Sequence, residues 1–444
     1  MSLGRFSSPY VPNTDSDRKA ILEAIGARSI EDLFKDIPED YRNPVLDLPT
    51  PLPELELRRE MQALSEINLD VERHPCFLGG GSYNHFIPAV VGYIVSRGEL
   101  STAYTPYQPE VSQGTLQAIY EFQSLVCQLT GMEVANSGMY DGATSLAEAA
   151  LMACRVNGKS RILVLDTVSP DYISVIRTYA EPQGLEVSTV GGSDQIVEDD
   201  IACLVVQHPN YLGYLEGLDE LVRIVHDRNA LLVVYTDPTF LGLFRSPGEY
   251  GADIVVAEGQ PLGVPLSFGG PYVGLFTCRS KFLRQMPGRI VGKTTDTFGR
   301  DGYVLTLQTR EQHIRRERAT SNICTSEALV GTAVVTYLAC MGKTGLRHIA
   351  ELTYHKSHYA ASLIDSIDGY SVPLPGIFFQ EFVIECPMPP KDLNAKLMER
   401  GIIGGIDVSQ HVHNGLLLCV TEMNSRAQID SLVEALTDIG KELS

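Results

Sequence analysis

Basic charge is scarce in this sequence. Against 55 Asp and Glu stand 35 Lys and Arg, a formal net charge of −20. A nucleic-acid footprint needs a basic face and an anionic membrane surface attracts one, so neither is expected as a partner. Long apolar runs are also missing. The longest weakly polar stretch, Ala328 to Gly342, spans about fifteen residues with Thr and Tyr inside it, short of the ~20 of a membrane-crossing helix. No span is expected. The opening MSLGRFSSPYVPNTDSDRK has neither the apolar core of a secretory signal nor the Arg-rich amphipathic pattern of an organelle transit peptide, so a cytoplasmic chain is expected. Paired cysteines are absent too. Cys76, Cys127, Cys154, Cys203, Cys278, Cys324, Cys340, Cys386 and Cys419 are odd in number and spread out, mostly within apolar runs such as Ala202-Cys203-Leu204-Val205. Buried free thiols are expected, with no disulfide framework and no zinc or other metal site. No period repeats along the chain and no low-complexity tract is visible.

What is present is ordinary globular material: 444 residues, 44% hydrophobic and 20% charged. The length is about three times the ~150 residues of a typical domain, which suggests two or three domains. Residues 1–70 read as a helical arm broken by proline, with Ser16 to Gly26 helical, Pro38, Pro49, Pro51 and Pro53 interrupting, and Glu54 to Asp70 resuming. Helical spacing follows from Gly114 to Thr130, stopped by Gly131, and again from Thr144 to Val156. Short continuous apolar runs then appear at 162–166, 203–207, 231–236, 254–258 and 272–277, with helical segments such as Leu218 to Arg228 between several of them. Such strands, apolar on both faces, indicate a mainly parallel sheet covered by helices. A long helix from Ser326 to Met341 leads away. Phe378 to Cys386 and Leu416 to Thr421 read as strands, Lys391 to Gly401 and Arg426 to Leu443 as helices. The expected layout is therefore an arm at 1–70, a large α/β domain at 71–325 and a small α+β domain at 326–444.

In such a sheet ligands gather beyond the carboxyl ends of the strands. Three segments occupy that place: Gln207-His208-Pro209-Asn210-Tyr211-Leu212-Gly213, Thr236-Asp237-Pro238 and Glu258-Gly259-Gln260-Pro261-Leu262-Gly263. The arrangement resembles the large domain of the fold-type I pyridoxal phosphate (PLP) enzymes. There a strand-end Asp holds the pyridinium nitrogen and, about two dozen residues later, a Lys binds the cofactor covalently. Asp237 matches the first position. Gln260 stands at the second, and a carboxamide has no nucleophilic amine. Lys281 and Lys293 lie beyond the next strand, without the strand-end setting. The segment corresponding to the phosphate cup, Met139 to Thr144, places Asp141 where a phosphate dianion would sit; Asp141 reads equally as a helix cap.

Longer strings are more specific. Phe77-Leu78-Gly79-Gly80-Gly81-Ser82-Tyr83-Asn84-His85, the run from Thr102 to Gly114 (TAYTPYQPEVSQG), Met139-Tyr140-Asp141-Gly142-Ala143-Thr144 and the run from Thr309 to Thr325 (TREQHIRRERATSNICT) resemble the glycine decarboxylase P-protein family. The resemblance covers nearly the whole chain and points to the subunit 1, or α, type of that family. It implies a fold-type I PLP-transferase fold and a heteromer, α2β2, in which a related β chain supplies the Lys and holds most of the PLP. It also implies an oxidoreductase of the glycine cleavage system that decarboxylates glycine, releases CO2 and passes the aminomethyl group to the lipoyl arm of the H-protein. Gln260 is then what an α chain should carry, and Asp237 is vestigial or structural.

A site between subunits needs residues of both to exclude water. The candidates for crossing the interface are Tyr83, His85, Tyr107, Gln108, Glu110 and Asp141, with Tyr104 on the same Pro-punctuated segment. His85 reads as an acid or base near neutral pH or as a plain interface histidine; Glu110 reads as a group orienting a donor or as the start of a helix cap. Arg310, His313, Arg315, Arg316 and Arg318 form a basic tract unusual in so acidic a chain. It reads as a strip facing an acidic partner or the PLP phosphate held in the β chain, or as a solvated helix face offset by Glu311 and Glu317. Two other readings stay open: a scaffold that only stabilises a PLP enzyme, and an independent PLP enzyme with a displaced Lys.

Overall fold

A computed structural model describes residues 12–42, 44–101, 104–196, 200–323 and 327–443. Thr102 and Ala103 of the second motif, and Cys324, Thr325 and Ser326 at the expected domain boundary, lie outside the described residues, as do the first eleven. The chain divides into two compact units, Met1–Leu69 and Asp70–Ser444.

In the first unit, Asp15–Ile25 is a helix started by a reciprocal cap between Thr14 and Asp17 and ended by Gly26 in the left-handed region. Glu54–Ser65 is a second helix behind Pro53. Neither helix has a buried residue; Ile21, Ile25, Leu55, Leu57, Met61 and Leu64 are all exposed.

The large sheet of the second unit has seven strands: β1 (Val134–Ala135), β2 (Arg161–Leu165), β3 (Glu186–Val190), β4 (Cys203–His208), β5 (Leu231–Thr236), β6 (Ile254–Glu258) and β7 (Gly274–Cys278). Their order is β1-β7-β6-β5-β4-β2-β3. From β3 to β6 neighbouring pairs are parallel; β7 runs antiparallel to β6 and to β1. The run near 272–277, grouped with the parallel strands in the sequence, thus returns in the opposite direction. β4, β5 and β6 are buried at every residue, the signature of central strands covered on both faces. The Gly142–Asn157 helix lies against β4 to β7 and buries most of its Ala-rich length. Its first residue has to be glycine: a Cβ there would stand 2.9 Å from the Tyr235 ring and 3.0 Å from the Glu258 nitrogen.

β8 (Ile290–Thr295) and β9 (Asp301–Thr306) form an antiparallel ribbon packed on the Gln113–Thr130 helix through Leu116, Ile119, Val291 and Leu305. The second core belongs to β10 (Glu381–Glu385), β11 (Ile406–Asp407) and β12 (Gly415–Cys419), an antiparallel sheet of order β10-β12-β11. The Pro390–Glu399 and Arg426–Leu443 helices cover it with Leu393, Leu397, Leu432, Leu436 and Ile439. Phe77 enters this core, and its N–H donates to the Ile403 carbonyl. The stretch that follows Phe77 is thereby led from the small sheet toward the strand ends of the large one.

The helix read as Ser326 to Met341 runs from Ala328 to Asp365, with Gly342 (φ 58°) non-helical inside it. It is long and apolar enough, by length and composition alone, to cross a membrane. The fifteen-residue estimate is corrected to that extent. Ala333, Val334 and Tyr337 of its first half are buried in one apolar cluster with Leu262 and Leu275.

Candidate functional site

Beyond the carboxyl ends of β4, β5 and β6 the structure has a small cavity lined by Tyr83, Gln207, Tyr235, Asp237, Glu258, Gln380 and Glu381, among others. Its volume is about 10 Å³, the room of about one water molecule. Asp237 Oδ1 accepts from the Thr239 (2.6 Å) and Phe240 (3.3 Å) N–H groups, and its Oδ2 accepts from Gln380 Nε2 at 2.6 Å. Tyr235 and Tyr172 join hydroxyl to hydroxyl at 2.9 Å. Glu258 accepts from the N–H groups of Gly142 (2.8 Å), Gln260 (3.0 Å) and Val273 (3.3 Å).

Gln260 is 1% exposed and uses both ends of its amide. Its Oε1 accepts from Tyr83 N at 2.9 Å; its Nε2 donates to the Tyr83 carbonyl at 2.9 Å and to the Val264 carbonyl at 2.8 Å. Glu381 accepts from Gly80 N (2.6 Å) and from the Tyr83 hydroxyl (2.9 Å). Glu422 accepts from Phe86 N and meets His85 Nδ1, each at 2.7 Å.

Burial dominates the electrostatics. It pushes Glu258 and Glu381 up from 4.5 to about 7, against the N–H donors that favour their charged forms. Asp237 is raised by the same cause, partly offset by the charge of His85 and the two backbone donors. At His85 burial opposes the charged ring, but the Glu422 carboxylate outweighs it and holds the pKa above its ordinary value. Glu422 shows the reverse balance: burial raises it, and His85 brings it below the usual carboxylate value. The Gln380 amide lies near enough to favour the charged ring. Even so, His85 Nε2 and Gln380 Oε1 form no hydrogen bond of good geometry among the described residues. His208 goes the other way, lowered to about 4 by burial, so it is a neutral imidazole whose Nδ1 accepts from Glu216 N at 3.1 Å.

The fold is the fold-type I PLP-transferase fold, and the residues in this pocket do not fit PLP. There is no amine at Gln260, Gln380 already donates to Asp237 Oδ2, and Glu258 takes the Gly142 N–H at the helix N-terminus where a phosphate would need donors. Asp141 caps that same helix, accepting from Thr144 N at 2.7 Å. Lys281 and Lys293 are engaged elsewhere, with Asp253 at 3.5 Å and Asp301 at 2.8 Å.

Residues 8–436 match the family described as glycine cleavage system P-protein. The chain belongs to that family. It is 48% identical over 441 residues to the probable glycine dehydrogenase (decarboxylating) subunit 1 of Chloroherpeton thalassium, covering 97% of this chain and 100% of the relative. Among solved structures, glycine decarboxylase (P-protein) of the glycine cleavage system in inhibitor-bound form superposes with a TM-score of 0.92 at 41% identity, covering 97% of this chain and all of that one. A NifS-like protein shares the fold at 14% identity, with a TM-score of 0.62 over 83% of this chain and 100% of its own. The P-protein assignment accounts for the long motif strings better than for any single pocket residue.

The motifs of this family member are placed as follows. Tyr83 and His85, expected to cross an interface, instead point inward, 7% and 5% exposed, because Glu381 and Glu422 supply buried acceptors on the inner side. Tyr104, Tyr107, Gln108 and Glu110 are exposed, the last on a single Pro109–Val111 turn. The Tyr107 hydroxyl accepts from Arg289 Nη2 at 3.1 Å, and its ring lies edge-on to His313 with centroids 5.4 Å apart. Arg289 is held in turn by Glu311 at 3.3 Å. The basic tract is not one helix face. Four residues, Gln312–Arg315, are helical and Arg316–Arg318 form a turn. Arg310 is corrected from strip to interior: it is 8% exposed and donates to the Met286 and Gly288 carbonyls. His313, Arg315, Arg316 and Arg318 remain exposed. Sequence reasoning missed Glu258, Gln380, Glu381 and Glu422. Glu258 carried a signal, ending a strand two residues before Gln260; the other three carried none, lying in the small sheet's sequence.

Proposed function

We propose that this chain is subunit 1 of a cytoplasmic glycine dehydrogenase (aminomethyl-transferring, decarboxylating), paired with a Lys-bearing second subunit as α2β2. In that assembly glycine loses CO2 and its aminomethyl group passes to the lipoyl arm of the H-protein. PLP held mainly by the partner supplies the electron sink. This chain contributes walls and orientation. The Gly79–Phe86 segment and the Tyr107-Arg289-Glu311-His313 cluster help close the partner's site against water, with Gln108 and Glu110 beside them. His313, Arg315, Arg316 and Arg318 meet acidic groups of a partner. Asp141, Asp237 and Gln260 are structural here. Residues 71–325 and 326–444 act as the large and small domains of one PLP-transferase half.

The observation that carries this reading is the pairing of a superposition covering 97% of this chain on a P-protein structure with a buried amide at the position of the missing amine. The test is spectroscopic. Incubated alone with PLP, the chain should retain no absorbance of covalently bound cofactor after dialysis and show no borohydride-sensitive band. Mixed with the Lys-bearing subunit it should exchange the glycine carboxyl with CO2. A stable, reducible yellow band from the chain alone sinks the reading.

A further inference from the structure

We infer that the strand-end pocket of this chain is a lock for the Gly79–Phe86 segment, with Gln260, Glu381 and Glu422 as its three bolts. Each comes from a different strand: Gln260 follows β6, Glu381 opens β10 and Glu422 follows β12. They converge on one short stretch of backbone. Glu381 takes Gly80 N and the Tyr83 hydroxyl; Gln260 takes Tyr83 N and gives to the Tyr83 carbonyl; Glu422 takes His85 Nδ1 and Phe86 N. The Thr421 hydroxyl adds a bond to the Asn84 carbonyl at 2.6 Å.

Chemistry makes the arrangement specific. A buried carboxyl or amide left without a partner is costly, so these three side chains require the segment's donors as much as the segment requires them. Gln260 does something a lysine there could not, since an ammonium only donates and would leave Tyr83 N without an acceptor. The amide that stands where a cofactor amine is missing is therefore itself one of the three bolts. Gly79 fits the design: its Cα faces Glu381 Oε1 so closely that a Cβ would stand 2.2 Å from that oxygen. Resting on the function proposed above, in which the segment helps close the partner's site, Gln260, Glu381 and Glu422 are positioning residues for glycine decarboxylation.

The experiment uses the assembled pair and two readouts. Hydrogen exchange of the peptide spanning residues 77–87 is compared between wild type, Gln260→Met and Gln260→Asn. Met keeps the length without the hydrogen bonds. Asn, one methylene shorter, keeps polarity but cannot reach all three partners, and it serves where Met does not fold. The lock requires exchange in this peptide to rise about tenfold while β4 and β5 stay protected. Glycine–CO2 exchange is measured on the same samples and should fall with it. Unchanged exchange of the 77–87 peptide in the folded variants overturns the lock. Faster exchange with full activity leaves the lock standing and overturns the segment's part in closing the partner's site.

Discussion

Glu381 shows how one residue ties charge to structure. Its carboxyl is raised from 4.5 to about 7 by burial, although Gly80 N and the Tyr83 hydroxyl both favour the anion. Between those two values the folded chain holds a proton that the unfolded chain has released. Stability from this group is then full below the unfolded pKa and is lost as pH rises through the folded one, by about 3 kcal/mol in total. Glu258, also raised to about 7, acts in the same direction. Glu381→Gln removes the titration, while the amide can still accept from Gly80 N and donate to the Tyr83 oxygen. The melting temperature of the variant should therefore gain on wild type from pH 5 to pH 8, and a constant difference across that range would show that Glu381 is not the titrating group. Nothing in the sequence marked Glu381 or Glu422. They reach Gly80 and His85 across separations of 301 and 337 residues, and a Glu that opens one short strand, or stands just after another, gives no hint of so distant a partner. Gln260 and Asp237 were legible because strand-end positions follow from the apolar runs themselves.

At the scale of elements, legibility followed burial. β4, β5 and β6 announce themselves as unbroken Val/Leu/Ile runs because both faces are covered. β3 is an edge strand, Glu-Val-Ser-Thr-Val, with no residue buried, and β8 and β9 mix Lys, Thr, Gly and Asp into a partly exposed ribbon; none of the three has an apolar pattern to read. The basic tract failed for a related reason. A sequence lists Arg310 beside Arg315 and Arg318, but the chain turns at Glu311 (φ −84°, ψ 157°), which separates an interior guanidinium from exposed ones. Their substitutions should diverge accordingly. Arg310→Ala strands the Met286 and Gly288 carbonyls and should cost about 3 kcal/mol, seen as a lowered melting temperature. Arg315→Ala with Arg318→Ala should leave stability within about 0.5 kcal/mol and instead weaken association with the second subunit at low salt, the loss fading as salt is added. Equal effects on melting from both sets would contradict the division.

For the whole molecule, the remaining question is what the first unit does. Its helices, Asp15–Ile25 and Glu54–Ser65, have 11 and 12 residues and bury none of them. Helices of about that length are marginal on their own in water, and protein helices draw most of their stability from packing an apolar face. These two have apolar residues to pack, Ile21 and Ile25 on one and Leu55, Leu57, Met61 and Leu64 on the other, all exposed. Among the described residues, the strands and the five buried apolar clusters all lie in the second unit, Asp70–Ser444. Removing residues 1–69 should therefore leave its melting temperature within about 2 °C of the full chain, since no core is cut. Assembly should respond differently. If the arm's apolar residues are covered by the second subunit, each fully buried side chain contributes about 1.5–3 kcal/mol before ordering costs, and the truncated chain should bind that subunit at least tenfold more weakly. Sedimentation of the mixed subunits measures this directly: unchanged association would place the arm's surface outside the heteromer contact, whereas a lowered melting temperature of the truncated chain alone would mean that the arm is part of this chain's own core.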